Sequence, residues 1–204
     1  MGIYAEWIYP WILDVTDPSK LDEQRGLLLK SVTGDVLEIG MGTGSSLPHY
    51  PDRIRKVTVI EPSTGMHRRA LRRAAAAGRT LEIHQLEGER LPFHDRSFDS
   101  VVTLLVLCTV SDIDAVLGEL YRVLRPGGRC FFLEHVVSSK PRIRWWQQRL
   151  NRLQRIATCG CELIRDTEKN LRNSSFEIES LEHATLPGVA SLYPLIRGVA
   201  AKPG

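Results

Sequence analysis

Three observations predict an α/β chain built as a doubly wound sheet, mostly parallel, with an antiparallel pair of strands at its C-terminal end and helices on both faces. Short β-branched runs alternate with longer helical patterns from "GDVLEIG" to "GRCFFLEHV", which is how βαβ units read in sequence. A glycine-rich bend, "LEIGMGTG", follows the first of these runs. Near the end, "FEIESLEHA" and "YPLIRGVAAK" are separated by "TLPGVASL", too short for a helical crossover, so these two strands are expected to run antiparallel.

Each element has its own reason. Strands are expected at Val36–Ile39, Lys56–Ile60, Leu81–Gln85, Phe98–Leu104 and Arg129–His135. A helix is expected at about Ser45, directly after the glycine bend. In "STGMHRRALRRAAAAG", Ser63 is placed to cap a run of good helix formers that Gly78 stops. In "SDIDAVLGELYRVLRPGG" the residues Ile113, Val116, Leu117, Leu120 and Leu124 form one apolar helical face, and Pro126, Gly127 and Gly128 end it. "SSKPRIRWWQQRLNRLQRIATCGCELIR" reads as one helix with a basic face.

The chain of 204 residues suffices for one sizeable α/β core and is short for two. It is expected to divide into an N-terminal helical cap over 1–34, a ligand-binding core over 35–135, a helical lid over 136–172 and the strand pair over 173–204. Charged residues at 25%, hydrophobic ones at 43% and a net charge of +3 fit a globular protein and give no argument for a nucleic-acid partner. The N-terminal "MGIYAEWIYPWILDV" is apolar but too short to cross a bilayer, is interrupted by Glu6 and Pro10, and lacks a basic start and a cleavage site, so a cytoplasmic location is expected. Cys108, Cys130, Cys159 and Cys161 contain no CxxC pair; reduced thiols and no metal are the expectation.

A bend poor in side chains lets backbone N–H groups approach a ligand. Gly40, Gly42 and Gly44 form such a bend, and Glu61 ends the next strand about 20 residues on, where a doubly wound fold places an acid against ribose hydroxyls. The spacing is G-x-G-x-G rather than the dinucleotide G-x-G-x-x-G, with Ser45 at the final position, which disfavours a nicotinamide or flavin pyrophosphate.

At this point the chain resembles the class I S-adenosylmethionine-dependent methyltransferases, through four segments in order: "VLEIGMGTG", "VIEPSTGM", "GERLPFHDRSFDSVV" and "LYRVLRPGGRCFFLEH". The resemblance implies a Rossmann-like sheet of seven strands. It implies S-adenosylmethionine as cofactor, released as S-adenosylhomocysteine. It further implies that Gly40, Gly42 and Gly44 approach the cofactor, Glu61 holds the ribose with Pro62 and Met66 nearby, and Glu38 organises the loop and the ammonium. Glu87 and Gly88 in "LEG" would face adenine.

Methyl transfer is mostly alignment, and the fourth strand's end, "TLLVLCTV", sets Leu104 and Leu105 beside the cofactor with Cys108 just beyond. So apolar a mouth suits an apolar acceptor, or one that ionises by itself, better than a hydroxyl needing a strong base. "LLVLCTV", "VLRPGG", "EHV", "WQQ", "GC-x-L-x-R" and "IRGVAAK" are similar to the membrane-associated thiol S-methyltransferases, which implies a small or lipophilic thiol as acceptor. His135 is the candidate base or anion-stabilising donor, with Glu134 second. Tyr4, Trp7, Tyr9 and Trp11 are expected to cap the acceptor pocket, and Trp145 and Trp146 to wall it. The basic tryptophan segment has two other readings, a peripheral membrane contact and a plain solvated helix. The alternatives to a thiol enzyme are an amine or phospholipid N-methyltransferase at a membrane surface, an RNA-binding or RNA-modifying protein using the Arg68–Arg73 cluster, and a non-catalytic cofactor-binding scaffold.

Overall fold

The computed structural model describes residues 4–16, 19–185 and 193–204. One π-helical turn, Tyr4–Ile8, leads into α1 (Tyr9–Thr16) and α2 (Ser19–Leu29), followed by β1 (Val36–Ile39), β2 (Lys56–Ile60), α3 (Thr64–Ala76), β3 (Thr80–His84) and β4 (Phe98–Leu104). The second half holds α4 (Ile113–Val123), β5 (Leu124–His135), α5 (Pro141–Ala157), α6 (Thr167–Asn173), β6 (Glu177–Thr185) and β7 (Pro194–Ala201). The seven strands form one sheet in the order β3-β2-β1-β4-β5-β7-β6. β1 pairs in parallel with β2 and β4, and β7 pairs antiparallel with β5 and β6. The linker between β6 and β7 lies mostly outside the described residues.

The strands β1, β4 and β5 are buried on both faces, and their alternation divides the core. Val101 and Phe132 point into one cluster with Ile113, Leu117 and Leu120 of α4, while Val102 and Phe131 point into the other with Leu28, Leu29 and Ala70 of α2 and α3. Successive strand side chains face opposite ways, so one short apolar run feeds both layers. Each fully buried Leu or Phe contributes roughly 1.5–3 kcal/mol. The face expected for α4 is present, with Asp112 capping it by accepting from the N–H groups of Asp114 and Ala115.

Several expectations are corrected. No α-helix follows the glycine bend; only a 3₁₀ turn, Leu47–His49, forms before β2. Pro48 and Pro51 remove two backbone donors, and the Arg79 side chain donates to the carbonyls of Leu47, Pro51, Ile54 and Tyr50 that a helix would have used. Ser63 occupies the N-cap of α3, but its hydroxyl makes no capping bond. β3 begins one residue earlier than expected, and β5 begins at Leu124 rather than Arg129, through the Pro-Gly-Gly stretch. The basic segment is not one helix: α5 stops at Ala157, where Cys159 (φ 53°) and Gly160 (φ 122°) turn the chain through left-handed conformations toward α6.

The reversal of strand order falls between β1 and β4. In such sheets the crevice outside the strand C-termini at this point is where ligands bind.

Candidate active site

The three glycines of the bend all have positive φ, 65° at Gly40, 59° at Gly42 and 85° at Gly44, a region where L side chains are strained. Their surroundings differ. A Cβ on Gly40 would lie 2.3 Å from Val106 Cγ2, and one on Gly44 would lie 2.8 Å from Leu47 Cδ1 and 3.1 Å from Ala70 Cα. A Cβ on Gly42 would meet nothing within 4 Å. Gly42 therefore opens on the cavity, Gly40 allows the β4 loop to approach, and Gly44 lets the bend pack on α3 without lining the cavity.

Two buried carboxylates hold this bend. Glu61 Oε2 accepts from the Gly42 N–H at 2.9 Å and Oε1 from the Ser63 N–H at 2.9 Å. Burial raises its pKa above the usual carboxylate value, while these two amides act in the opposite direction. Glu38 Oε2 accepts from the hydroxyls of Ser46 at 3.0 Å and Tyr50 at 2.9 Å. Burial pushes its carboxyl up to about 7, against the pull of those hydroxyls and of Arg25. Arg25, buried on α2 and lining the same cavity, went unnoticed in sequence because nothing local distinguishes it from the other arginines.

Two adjoining cavities occupy the crevice. One, of about 380 Å³, runs from Glu38, Gly42 and Glu61 past Pro62 and Met66 to Leu104, Leu105 and Cys108. The other, of about 540 Å³, is lined by Leu86, Glu87, Gly88 and Val110 and shares Gly40, Pro62, Val106, Thr109 and Cys159 with the first. Ser63 lines the first cavity, and its buried Oγ has no hydrogen-bond partner among the described residues. An orphaned hydroxyl beside an acid and a bend with a side-chain-free face fits a polar nucleoside carrying an amino-acid tail; the second cavity gives its base a place between Glu87 and the apolar Leu86 and Val110.

The far end of the first cavity is sulfur-lined. Leu105 (φ 59°) turns the chain after β4, and Glu134 Oε1 accepts from the Val106 N–H at 3.3 Å. Glu134 is fully buried and lines neither cavity; burial raises it to about 8 against the loop amides it accepts from. His135 does line the first cavity. Its Nδ1 is 3.5 Å from Cys161 Sγ, which is 3.4 Å from Cys108 Sγ. The thiol–thiol hydrogen bond lowers the Cys161 pKa, against burial and helped by His135, and raises that of Cys108, where burial adds to the rise.

The expected aromatic walls are corrected. Trp7, Trp11, Trp145 and Trp146 are 48–57% exposed, and neither they nor Tyr4 line a cavity. Trp145 and Trp146 pack on each other edge to face, with Arg149 over Trp145. The N-terminal segment still reaches the site. Tyr4 donates to the Ala157 carbonyl at 2.6 Å, Trp7 stacks under Arg68, and the Glu6 backbone lies so near Gly65 that a Cβ there would clash at 2.1 Å. The segment thus bridges α5 and α3, and Tyr9 is the aromatic that faces the cavity.

This sheet order, with a nucleoside-sized crevice at the strand ends, defines a class I methyltransferase fold. Residues 37–132 match the methyltransferase domain family. The chain is 36% identical to the human thiol S-methyltransferase TMT1A over 82% of its own length and 70% of that protein, and 34% identical to human TMT1B over 88% and 79%. It superposes on geranyl diphosphate methyltransferase in complex with S-adenosylmethionine with a TM-score of 0.67, at 16% identity over 90% of this chain and 85% of that one, a likeness of fold. The chain belongs to the class I S-adenosylmethionine-dependent methyltransferase family, and S-adenosylmethionine is its methyl donor.

Proposed function

We propose that this enzyme methylates the sulfur of a small thiol. The observation that carries the reading is the composition of the cavity's far end: Leu104, Leu105, Cys108, His135 and Cys161, with no carboxylate among the described lining residues beyond Glu38 and Glu61 of the cofactor end. A hydroxyl acceptor needs a strong base beside it, whereas a thiol with pKa near 8.5 supplies some thiolate unaided. The thiol S-methyltransferases among the relatives support the same choice. When bound, S-adenosylmethionine supplies an electrophilic methyl group on a sulfonium.

The chain's residues then divide the work. Gly42 and Ser63 offer backbone and hydroxyl contacts, Glu61 accepts from ribose hydroxyls, Glu38 with Arg25 holds the amino-acid tail, and Glu87 and Gly88 face the base. Leu104 and Leu105 keep water from the line of transfer, and the acceptor sulfur lies against Cys108, His135 and Cys161. Glu134 is a positioning residue, holding the loop that carries Leu105 and Cys108. Incubation with labelled cofactor and a panel of alkyl, aryl and metabolite thiols, with matched alcohols and amines, is the test. Transfer confined to thiols is expected; transfer to amines alone, or to none, overturns the reading.

A second reading has its own observation. Trp7, Ile8, Trp11, Leu153 and Ile156 are exposed around the N-terminal segment and the basic helix α5, as in a peripheral membrane contact. No helix among the described residues is long and apolar enough to cross a bilayer. Co-sedimentation with anionic vesicles at low salt tests this reading; protein left in the supernatant rejects it.

A further inference from the structure

We propose that Cys108, His135 and Cys161 form a zinc site whose fourth position, open to the cavity, takes the sulfur of the acceptor thiol. The metal half stands on geometry alone; the acceptor half rests on the thiol reading above.

The three donor atoms all lie within 4.8 Å of one another, with Sγ to Sγ at 3.4 Å and Nδ1 to Sγ at 3.5 Å. Zinc bonds of about 2.3 Å to sulfur and about 2.0 Å to nitrogen set tetrahedral neighbours roughly 3.8 Å apart for two sulfurs and roughly 3.5 Å for sulfur and nitrogen. The two closest pairs already lie within a few tenths of an ångström of these values, and Cys108 Sγ and the His135 nitrogen, which lie within 4.8 Å of each other, draw together when a metal enters. Two thiolates and an imidazole are a zinc donor set and a poor one for magnesium or calcium. They also cancel the metal's charge.

The ligands are far apart in sequence and tightly supported in space. Cys108 and Cys161 are buried, and their segments are tied by the Glu162 N–H donating to the Cys108 carbonyl at 2.9 Å. Arg165 donates to the carbonyls of Leu107 at 3.2 Å and Val110 at 2.7 Å. The Leu163 N–H donates to Asn151 Oδ1 at 2.7 Å, fixing the same turn to α5, and Thr167 donates to the His135 carbonyl at 3.2 Å. Such a shell holds ligands in place before the metal arrives. All three ligands line the cavity that Leu104, Leu105 and Gly42 also line, which leaves a fourth position facing it. Three protein ligands and one open position are the pattern of a catalytic zinc rather than a structural one.

The chemistry at that position balances simply. A thiol displaces the metal-bound water, its S–H proton goes to solvent as hydronium, and the sulfur stays on zinc as thiolate. The metal lowers the thiol pKa as it does that of bound water, which supplies the nucleophile in a pocket end that offers no carboxylate base. The thiolate sulfur then bonds the methyl carbon as the sulfonium carbon–sulfur bond breaks and S-adenosylhomocysteine leaves with that electron pair; the neutral thioether is a weaker ligand and is replaced by water.

The experiment loads full-length protein with zinc or cobalt(II) after chelation and reduction. One metal per chain by elemental analysis and a thiolate-to-cobalt charge-transfer band are expected. Both should be lost in Cys108→Ser, Cys161→Ser and His135→Gln and kept in Cys159→Ser, whose parent side chain lies outside the cluster, with S-adenosylmethionine affinity by calorimetry retained as the check on folding. Thiophenol, but not phenol, should shift the cobalt d–d bands. Substoichiometric metal, a band unchanged in Cys108→Ser, or a Cys108–Cys161 disulfide in place of metal in reduced protein overturns the site. Stoichiometric metal with bands insensitive to thiophenol overturns its acceptor role. If thiols bind the cobalt but none is methylated, the proposed function falls and the metal site stands.

Discussion

At the cofactor end of the cavity, two carboxylates accept from amides and hydroxyls of one short stretch, residues 42 to 63. At the acceptor end, the groups that matter come from residues 108, 135 and 161 and touch only because three chain segments converge. The first end is polar and locally encoded; the second is soft and assembled from a distance. Binding a common nucleoside needs a fixed hydrogen-bond pattern, whereas accommodating varied acceptors needs a shaped, weakly polar wall. One is a property of a motif, and the other of a fold.

The largest effect that separates the ends should come from Glu61→Ala. Hydrogen bonds to a charged group contribute about 1.5–3 kcal/mol; the Gly42 and Ser63 amides depend on this acid, as do two ribose hydroxyls in the proposed role. Cofactor affinity by calorimetry should fall by roughly 100-fold or more, with metal loading at the acceptor end unchanged; an unaltered affinity removes Glu61 from the ribose.

Next, two neighbouring glycines should fail differently. Gly40→Ala drives a Cβ into Val106 at a left-handed φ, and a loss of about 1–3 kcal/mol in unfolding free energy is expected from overpacking and strain. Gly42→Ala meets no protein atom and should cost stability less while weakening cofactor binding more. Equal stability losses, or an affinity defect only in the Gly40 variant, would erase the distinction drawn between them.

A pH series sharpens the role of Glu38. Its folded pKa is raised to about 7 by burial, so folded protein holds a proton there between about 4.5 and 7 that the unfolded chain has released, and this group's contribution to stability falls as pH rises through that window. An ammonium seeking the ionised form reverses the trend for binding. With Arg25, Tyr50, Ser46 and Glu61 as the groups around it, affinity should weaken by up to about 10-fold per pH unit below 7. Glu38→Gln should flatten that slope, and an identical slope in the variant would refute the contact.

The smallest effects belong to the exposed tryptophans. Trp145→Ala and Trp146→Ala should leave the unfolding free energy nearly unchanged, within about 0.5 kcal/mol, and should leave KM for a small thiol the same within experimental scatter. A Tyr9→Ala change, which empties a cavity wall, should raise KM clearly more. A large tryptophan effect in solution would restore these rings to the pocket.

Legibility in the sequence followed the same division. The bend and Glu61 stood out because they are tied to a short spacing, Glu38 and Gly88 entered only through the family resemblance, and the α4 face was readable because helical periodicity is local. The absent helix after Gly44 was missed because Arg79 satisfies its carbonyls from about 30 residues away. The tryptophans were misplaced because aromatic content says nothing of which face packs inward, and Cys161 was set aside because its partners are 26 and 53 residues distant.

The amino-acid sequence alone determined the order of the strands along the chain, the antiparallel closing pair and the glycine bend, since backbone sterics and periodicity act over a few residues. Only the tertiary structure decided which side chains meet at the far end of the cavity. Contacts among a β4 loop, the end of β5 and the turn after α5 exist once the sheet has closed, and no local pattern encodes a distance of 3.4 Å between Cys108 and Cys161.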